Sequence, residues 1–325
     1  MKEVSIVLTM DCEPTTATSD RSASGPKDLP RGERAVLGYF DIAGSYGFPV
    51  TYFIHPETAL AQAPLFNDLS KRGACLGLHM HPWKYSVSRY QRRRFFAHYG
   101  GLSENDQRAL LSETATLWHE AIGHRPEYFR PGTFSANDAI FRVLAELGFR
   151  GGSCSAPGRV VPEMQAIWTA AEPDPHRAHA QFRQARGDLE FANVPLSADF
   201  SALLAGRAGR RMHADLRPDV DWPGDYGVSY KTIATNIVTQ VKERAPAVPA
   251  IVIITHNHYE YRDNSDPVTQ RLRDSLDALC AACSAAEIRP VGAALSKVVD
   301  DVLALPPVKE PFKLEGHIFE KTQET

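Results

Sequence analysis

Three pairs of polar residues, each pair separated by one position, carry the chemistry of this sequence: Asp11/Glu13, His79/His81 and His256/His258. In an extended segment, residues i and i+2 point to the same side. Each pair can therefore aim both side chains at one point. Two imidazoles and a carboxylate converging on a point make a common catalytic metal site, with a further position left to water. Each pair also follows a short apolar run. Asp11 and Glu13 follow SIVLTM, His79 and His81 follow ACLGL, and His256 and His258 follow IVIIT. His55-Pro56 follows VTYFI, and Arg130-Pro131-Gly132 follows EYF. Pro82, directly after His81, stops ladder pairing and fixes the exit from its strand.

The elements that must position these groups are legible as an alternation. Apolar, β-branched runs at 4–10, 50–54, 74–78, 127–129, 149–152, 189–195 and 251–255 alternate with helical patterns at 33–46, 58–72, 104–122, 136–147, 229–245 and 266–286. Such alternation argues for parallel βαβ units, and the continuous apolar strands suit a sheet covered on both faces. Six or seven units in 325 residues favour an α/β chain folded as a (β/α) barrel of about seven parallel strands. An open doubly wound parallel sheet is the alternative. In either architecture the carboxyl ends of the strands are where active sites form. The expected organisation is one catalytic domain over 1–305, with loop insertions at 14–32, 84–101 and 155–228. A C-terminal extension at 306–325 follows Pro306-Pro307, and the reading allows it to pack on a neighbouring subunit of a homo-oligomer.

Composition narrows the function classes. Lys+Arg is 36 and Asp+Glu is 39, a net charge of −3, so the chain is not expected to bind nucleic acid. Hydrophobic residues make up 43% and charged residues 23%, which excludes a disordered chain. Five scattered cysteines argue against a secreted disulfide framework. Cys12 should point away from Asp11 and Glu13, and Cys280-x-x-Cys283, in an Ala-rich helix, reads as core packing. The first apolar run is too short for a signal-peptide core, and no window approaches about 18 uninterrupted apolar residues. A cytoplasmic protein without a transmembrane segment is expected.

The segments LTMDCEP, GLHMHPW, YFRPGTFS and ITHNH resemble the motifs of the polysaccharide deacetylases (NodB-like, carbohydrate esterase family 4), in the family's order along the chain. The resemblance covers about residues 3–295. It implies a distorted (β/α) barrel that hydrolyses N-acetyl groups on sugars with one divalent metal. It also implies Asp11 as general base, Glu13, His79 and His81 around the metal, Arg130 holding Asp11, and His256 as general acid. Two departures stand out. Many members have adjacent Asp-Asp where this chain has Asp11-Cys12-Glu13, and His-x-x-x-His where it has His79-Met80-His81. The carboxylate that pairs with His256 is either Asp219, in Asp219-Val220-Asp221-Trp222, or Asp199.

The mechanism that follows is amide hydrolysis. A metal would lower the pKa of a bound water, and Asp11 would take its proton. A backbone N–H near residue 133 would help hold the oxyanion, and His256 would protonate the leaving nitrogen. Mixed N/O ligation suits zinc first, with cobalt, nickel, manganese or iron as alternatives. Trp83, Pro131, Gly132, Thr133, His258 and Arg92 are the candidate substrate contacts; His258 also reads as a turn residue and His55 as a loop-structural one. Residues 84–101 hold four arginines among five aromatics, and Arg207, Arg210 and Arg211 form a second basic cluster. These read either as solvated charge or as a clamp for a phosphorylated substrate. The competing functions are a deformylase or cyclic-amide (allantoinase-like) hydrolase on the same fold, and a non-catalytic carbohydrate-binding barrel.

Overall fold

A computed structural model describes residues 1–16, 24–89, 95, 97–205 and 211–308. Seven strands lie parallel to their neighbours: β1 (Glu3–Cys12), β2 (Val50–Ile54), β3 (Cys75–Met80), β4 (Tyr128–Pro131), β5 (Gly151–Gly152), β6 (Ala192–Asn193) and β7 (Ala250–His256). Their spatial order is β7-β1-β2-β3-β4-β5-β6. The sheet curls until the segment after β6 meets β7: Ser197 N–H donates to the Val252 carbonyl at 3.3 Å, and Val252 N–H donates to Ser197 Oγ at 3.0 Å. The result is a distorted barrel whose last seam is stitched by the backbone and side chain of Ser197.

Helices α1 (Leu29–Ser45), α2 (Pro56–Lys71), α3 (Pro82–Arg89), α4 (Glu104–Ile122), α5 (Ile140–Glu146), α6 (Trp222–Tyr226), α7 (Tyr230–Arg244), α8 (Pro267–Ala285) and α9 (Leu295–Ala304) complete the fold. Their starts follow local chemistry. Asp28, Ser103, Ser229 and Asp266 each accept a backbone N–H as N-caps, satisfying donors that the helix itself leaves open. His55 does the same for α2, accepting from Glu57 N–H.

The two faces of β1 serve different layers. Ile6, Leu8, Met10 and Cys12 pack into the helix layer, so Cys12 turns away from its acidic neighbours as its spacing requires. Val7 faces the barrel interior with Phe53, Tyr128, Ala192, Val194 and Val252, and Leu295, Val298 and Val299 of α9 join that cluster. Gly151 permits this closure, since a Cβ there would lie 2.5 Å from Val299. Above it, Gly77 leaves room for the Phe53 ring, which a Cβ would meet at 2.9 Å. The Arg130 guanidinium then lies 4.3 Å over Phe53. The interior thus passes from apolar side chains to the charged groups at the strand ends.

The structure differs from the sequence reading in the insertions. Region 155–228 is irregular only in part. It holds a four-stranded sheet of Val160–Val161, Ala166–Ile167, Asp199–Ala205 and Arg211–Ala214. These strands are short and mostly half-exposed, so no apolar run announces them. Residues 29–32 begin α1, and 82–89 form α3. A short strand, Arg289–Gly292, pairs with the start of β1; its Pro290 and Gly292 hid it. Arg92, Arg207 and Arg210 lie outside the described residues, as do 309–325 of the expected extension. No helix among the described residues is long and apolar enough to cross a membrane.

Candidate active site

The strand register gathers the functional groups. Asp11 on β1 sits opposite His256 on β7, and His79 on β3 opposite Arg130 on β4. Glu13 lies just past β1, where the ladder has ended. There Asn257 replaces it: Glu13 N–H donates to Asn257 Oδ1 at 2.9 Å, and Asn257 Nδ2 donates to the Glu13 carbonyl at 3.1 Å.

Glu13, His79 and His81 converge. Glu13 Oε1 lies 2.9 Å from His81 Nε2 and 3.3 Å from His79 Nε2. His79 Nδ1 donates to the Arg130 carbonyl at 3.0 Å, which fixes the ring and turns Nε2 inward. The i, i+2 spacing therefore delivers both imidazoles to one carboxylate oxygen, as two positions of an extended chain should. Gly132 gives His81 its place, since a Cβ there would lie 2.2 Å from His81 Nδ1.

Asp11 stands beside this group, its Oδ2 3.8 Å from His79 Nε2. Arg130, fully buried, donates from Nη1 to Asp11 Oδ1 at 2.8 Å and to Thr9 Oγ1 at 2.8 Å. Burial works to raise the Asp11 carboxyl, but Arg130, then His79 and His256, hold it below the ordinary range. Burial likewise opposes Glu13, yet His81, Lys84 and His79 keep it well below the usual value. His81 is pushed down to about 4 by burial, against the pull of Glu13, so it is neutral near pH 7.

On the far side, His256 Nδ1 donates to Asp219 Oδ2 at 2.5 Å, and Thr255 Oγ1 donates to Asp219 Oδ1 at 2.5 Å. Burial lowers the His256 pKa, but Asp219 outweighs it and the net shift is upward. Asp219 is therefore the partner of His256. Asp199 instead accepts from Asn236 and Gln240 of α7.

Residues 2–152 match the family model described as polysaccharide deacetylase. Over that stretch, a little under half of its length, the chain matches the polysaccharide deacetylase family. It is a hydrolase of amide or ester bonds. Among solved structures, a protein assigned as a polysaccharide deacetylase from Mycobacterium smegmatis matches at 16% identity and TM-score 0.55, covering 96% of both chains. Puue allantoinase matches at 12% and 0.54, over 95% of this chain and 92% of its own. A protein assigned as a polysaccharide deacetylase from Pseudomonas aeruginosa PAO1 matches at 12% and 0.52, with the same coverage. At such identities the likeness speaks for the fold. No curated protein sequence matches the chain.

In this site, Glu13, His79 and His81 could hold a metal: one ligand atom from each lies within 4.8 Å of the others. Two imidazoles and a carboxylate are the donor set a divalent cation takes, and the His79–Arg130 hydrogen bond is the outer support such ligands use. Arg130 Nη2, Trp83 Nε1, His55 Nε2 and His258 Nδ1 are buried without a hydrogen-bond partner among the described residues. His258 packs against His256 with ring centroids 5.2 Å apart, and burial, then His256, pushes it to about 4. Trp83 edges His81 at 6.2 Å. Pro131 pairs with Met80. Thr133 and Phe134 both adopt left-handed backbone, with φ of 56° and 57°.

Three residues of the site carried no signal in the sequence reading. Thr9 is a β1 residue that turns into a hydrogen-bond relay. Asn257 was masked by the histidines on either side. Lys84 lies on α3 with Nζ 2.7 Å from Glu13 Oε2 and 2.9 Å from the Ser24 carbonyl. It is 1% exposed, and a lysine after HMHPW looks like surface charge until α3 is seen to fold over the strand ends.

Proposed function

We propose that this chain is a metal-dependent N-deacetylase. It removes an N-acetyl or similar N-acyl group from an amino sugar or a sugar-containing precursor. The observation that carries the reading is the pairing of two opposed sets across one strand edge. Asp11 stands next to the Glu13/His79/His81 group, and His256 with Asp219 faces it from β7. Binding alone would need neither a base nor an acid.

Glu13, His79 and His81 would hold a divalent ion, which would supply Lewis acidity toward water and the amide carbonyl. Arg130 occupies Asp11 Oδ1, which leaves Oδ2 to accept the proton of the attacking water. The Thr133 backbone N–H helps to hold the carbonyl oxygen as it gains charge. His256 uses Nδ1 on Asp219 and is kept protonated by it, so Nε2 can deliver a proton to the departing nitrogen. Arg130 does two things: it keeps Asp11 ionised, as an opposite charge does, and its carbonyl anchors His79.

A second reading has one observation in its favour. The Lys84 ammonium already neutralises Glu13, which suits hydrolysis of a cyclic amide without a metal.

Metal analysis and acetate release from N-acetylated amino sugars separate the two. Wild-type chain should hold about one divalent ion per chain, and His79→Ala should lose it. Asp11→Asn should keep the ion and lose turnover by a factor of at least about 100. Wild-type turnover in Asp11→Asn means the base is misassigned. A wild type that takes up no zinc, cobalt, nickel or manganese sinks the metal mechanism and favours the second reading.

A further inference from the structure

Beside the catalytic edge, the segments around 156–161 and 196–222 enclose a small cavity of about 60 Å³. Arg159, Arg211 and Arg217 line it against a single carboxylate, Asp215, with Val220 and Trp222 as apolar wall. Arg217 is clamped in place. Its Nε donates to both Asp215 oxygens at 2.8 Å, and its Nη2 to Oδ2 at 2.5 Å. Its Nη1 has no hydrogen-bond partner among the described residues, and the side chain keeps 18% of its exposure.

The cavity adjoins the reaction centre. The Phe134 ring has the Arg130 guanidinium 5.5 Å to one side and that of Arg159 5.7 Å to another. A single aromatic ring thus separates the arginine that holds Asp11 from the cavity. Asp219 and Asp11 are both close enough to Arg217 for their charge to raise its pKa, against the effect of burial. Arg211, exposed on its strand, stands between this cavity and a wider groove of about 820 Å³ walled by Val160, Phe200 and Leu203, which Glu163 also lines.

The geometry points to Arg159, Arg211 and Arg217 as a binding subsite for an anionic group, carboxylate or phosphate, carried by the substrate next to the bond that is cut. Guanidinium forks match both oxyanions in shape and charge. Asp215, the carboxylate in this lining, is already taken by Arg217, so Arg211 brings positive charge to the cavity that Asp215 does not pair, and a half-enclosed space strengthens its interactions relative to water. Asp215 holds Arg217 ready, so little is lost in ordering it on binding. Calling the ligand a substrate rests on the amide-hydrolase reading; the subsite itself does not.

The test is calorimetric binding to the full chain at low ionic strength with three probes: N-acetylglucosamine, N-acetylglucosamine 1-phosphate and N-acetylmuramic acid. The phosphate or the carboxylate probe should bind about tenfold more tightly than the neutral sugar, or better, and whichever does identifies the anion. Arg211→Gln and Arg159→Gln should each remove most of that preference while leaving affinity for N-acetylglucosamine unchanged. Arg217→Gln strands buried Asp215 and can cost folding, so Arg211, exposed on its strand, supplies the decisive variant. Equal affinity for all three probes, or an anion preference untouched by Arg211→Gln and Arg159→Gln, overturns the proposal. Binding is read without turnover, so absent acetate release counts against the amide reading alone.

Discussion

At the scale of single residues, the site depends on what is missing as much as on what is present. Gly132 has no side chain, and the His81 ring occupies the space where one would be. Gly132→Ala should displace His81 and lower metal content measured by elemental analysis, with Glu13 and His79 unchanged in sequence. A fully loaded Gly132→Ala chain would mean that His81 is not a ligand. Asp219 acts through charge. It raises the His256 pKa against burial, so Asp219→Asn leaves burial unopposed and that pKa falls. The alkaline limb of the kcat/KM profile should then move to lower pH, since the acid form of His256 is lost sooner. The same linkage has a stability side: a raised native pKa contributes stability that is complete below the unfolded value, near 6.5, and is lost as pH rises through the native one. An unmoved alkaline limb in Asp219→Asn would remove His256 as the acid. Asp11, Glu13, the histidines and Arg130 were visible in the sequence because strand-end position and i, i+2 spacing are local properties. Lys84, Thr9 and Asn257 were not, because their roles arise only when α3, β4 and β7 come to lie beside β1.

At the scale of elements, β1 organises the molecule, with β2 and β7 on its two sides, the strand 289–292 at its start and Asp11 near its end. Asn257 extends its union with β7 past the last ladder bond by gripping both backbone groups of Glu13. Asn257→Ala should free Glu13 to swing and weaken metal binding by about 10–100-fold, the usual cost of losing an outer support. Asn257→Asp keeps the acceptor and loses the donor, so it should fall between the two in a metal titration. Equal affinities across the series would show that Glu13 is held by Lys84 alone. The seven strands could be placed from sequence because each lies in or beside a short, mostly apolar stretch set between helical patterns. The four-stranded sheet within 155–228 could not, because its strands are short and largely solvent-facing. A pattern that reports burial cannot find elements that are not buried.

At the scale of the whole molecule, the α9 plug closes one end of the barrel and leaves charge at the other. Bringing Glu13 and Asp11 under cover costs desolvation, which His79, His81, Lys84 and Arg130 offset. A bound divalent ion should stabilise the folded chain by mass action, about 2.7 kcal/mol at a hundredfold excess over Kd. Chelation should therefore lower the melting temperature by several degrees, with recovery on adding metal back. His79→Ala should show no such increment, and Asp11→Asn should retain it. A melting temperature indifferent to chelator in the wild type would favour the metal-free reading. The pair of left-handed residues at Thr133 and Phe134 bears on how this enzyme would respond to laboratory evolution. Non-glycine residues in that region cost on the order of 1–3 kcal/mol each, and the rest of the fold absorbs it. A library screened only for heat tolerance should therefore enrich glycine at 133, relieving the strain. The same clones should turn over more slowly, because the backbone N–H at that position would lose its fixed aim. Heat tolerance and catalysis would then pull one codon in opposite directions.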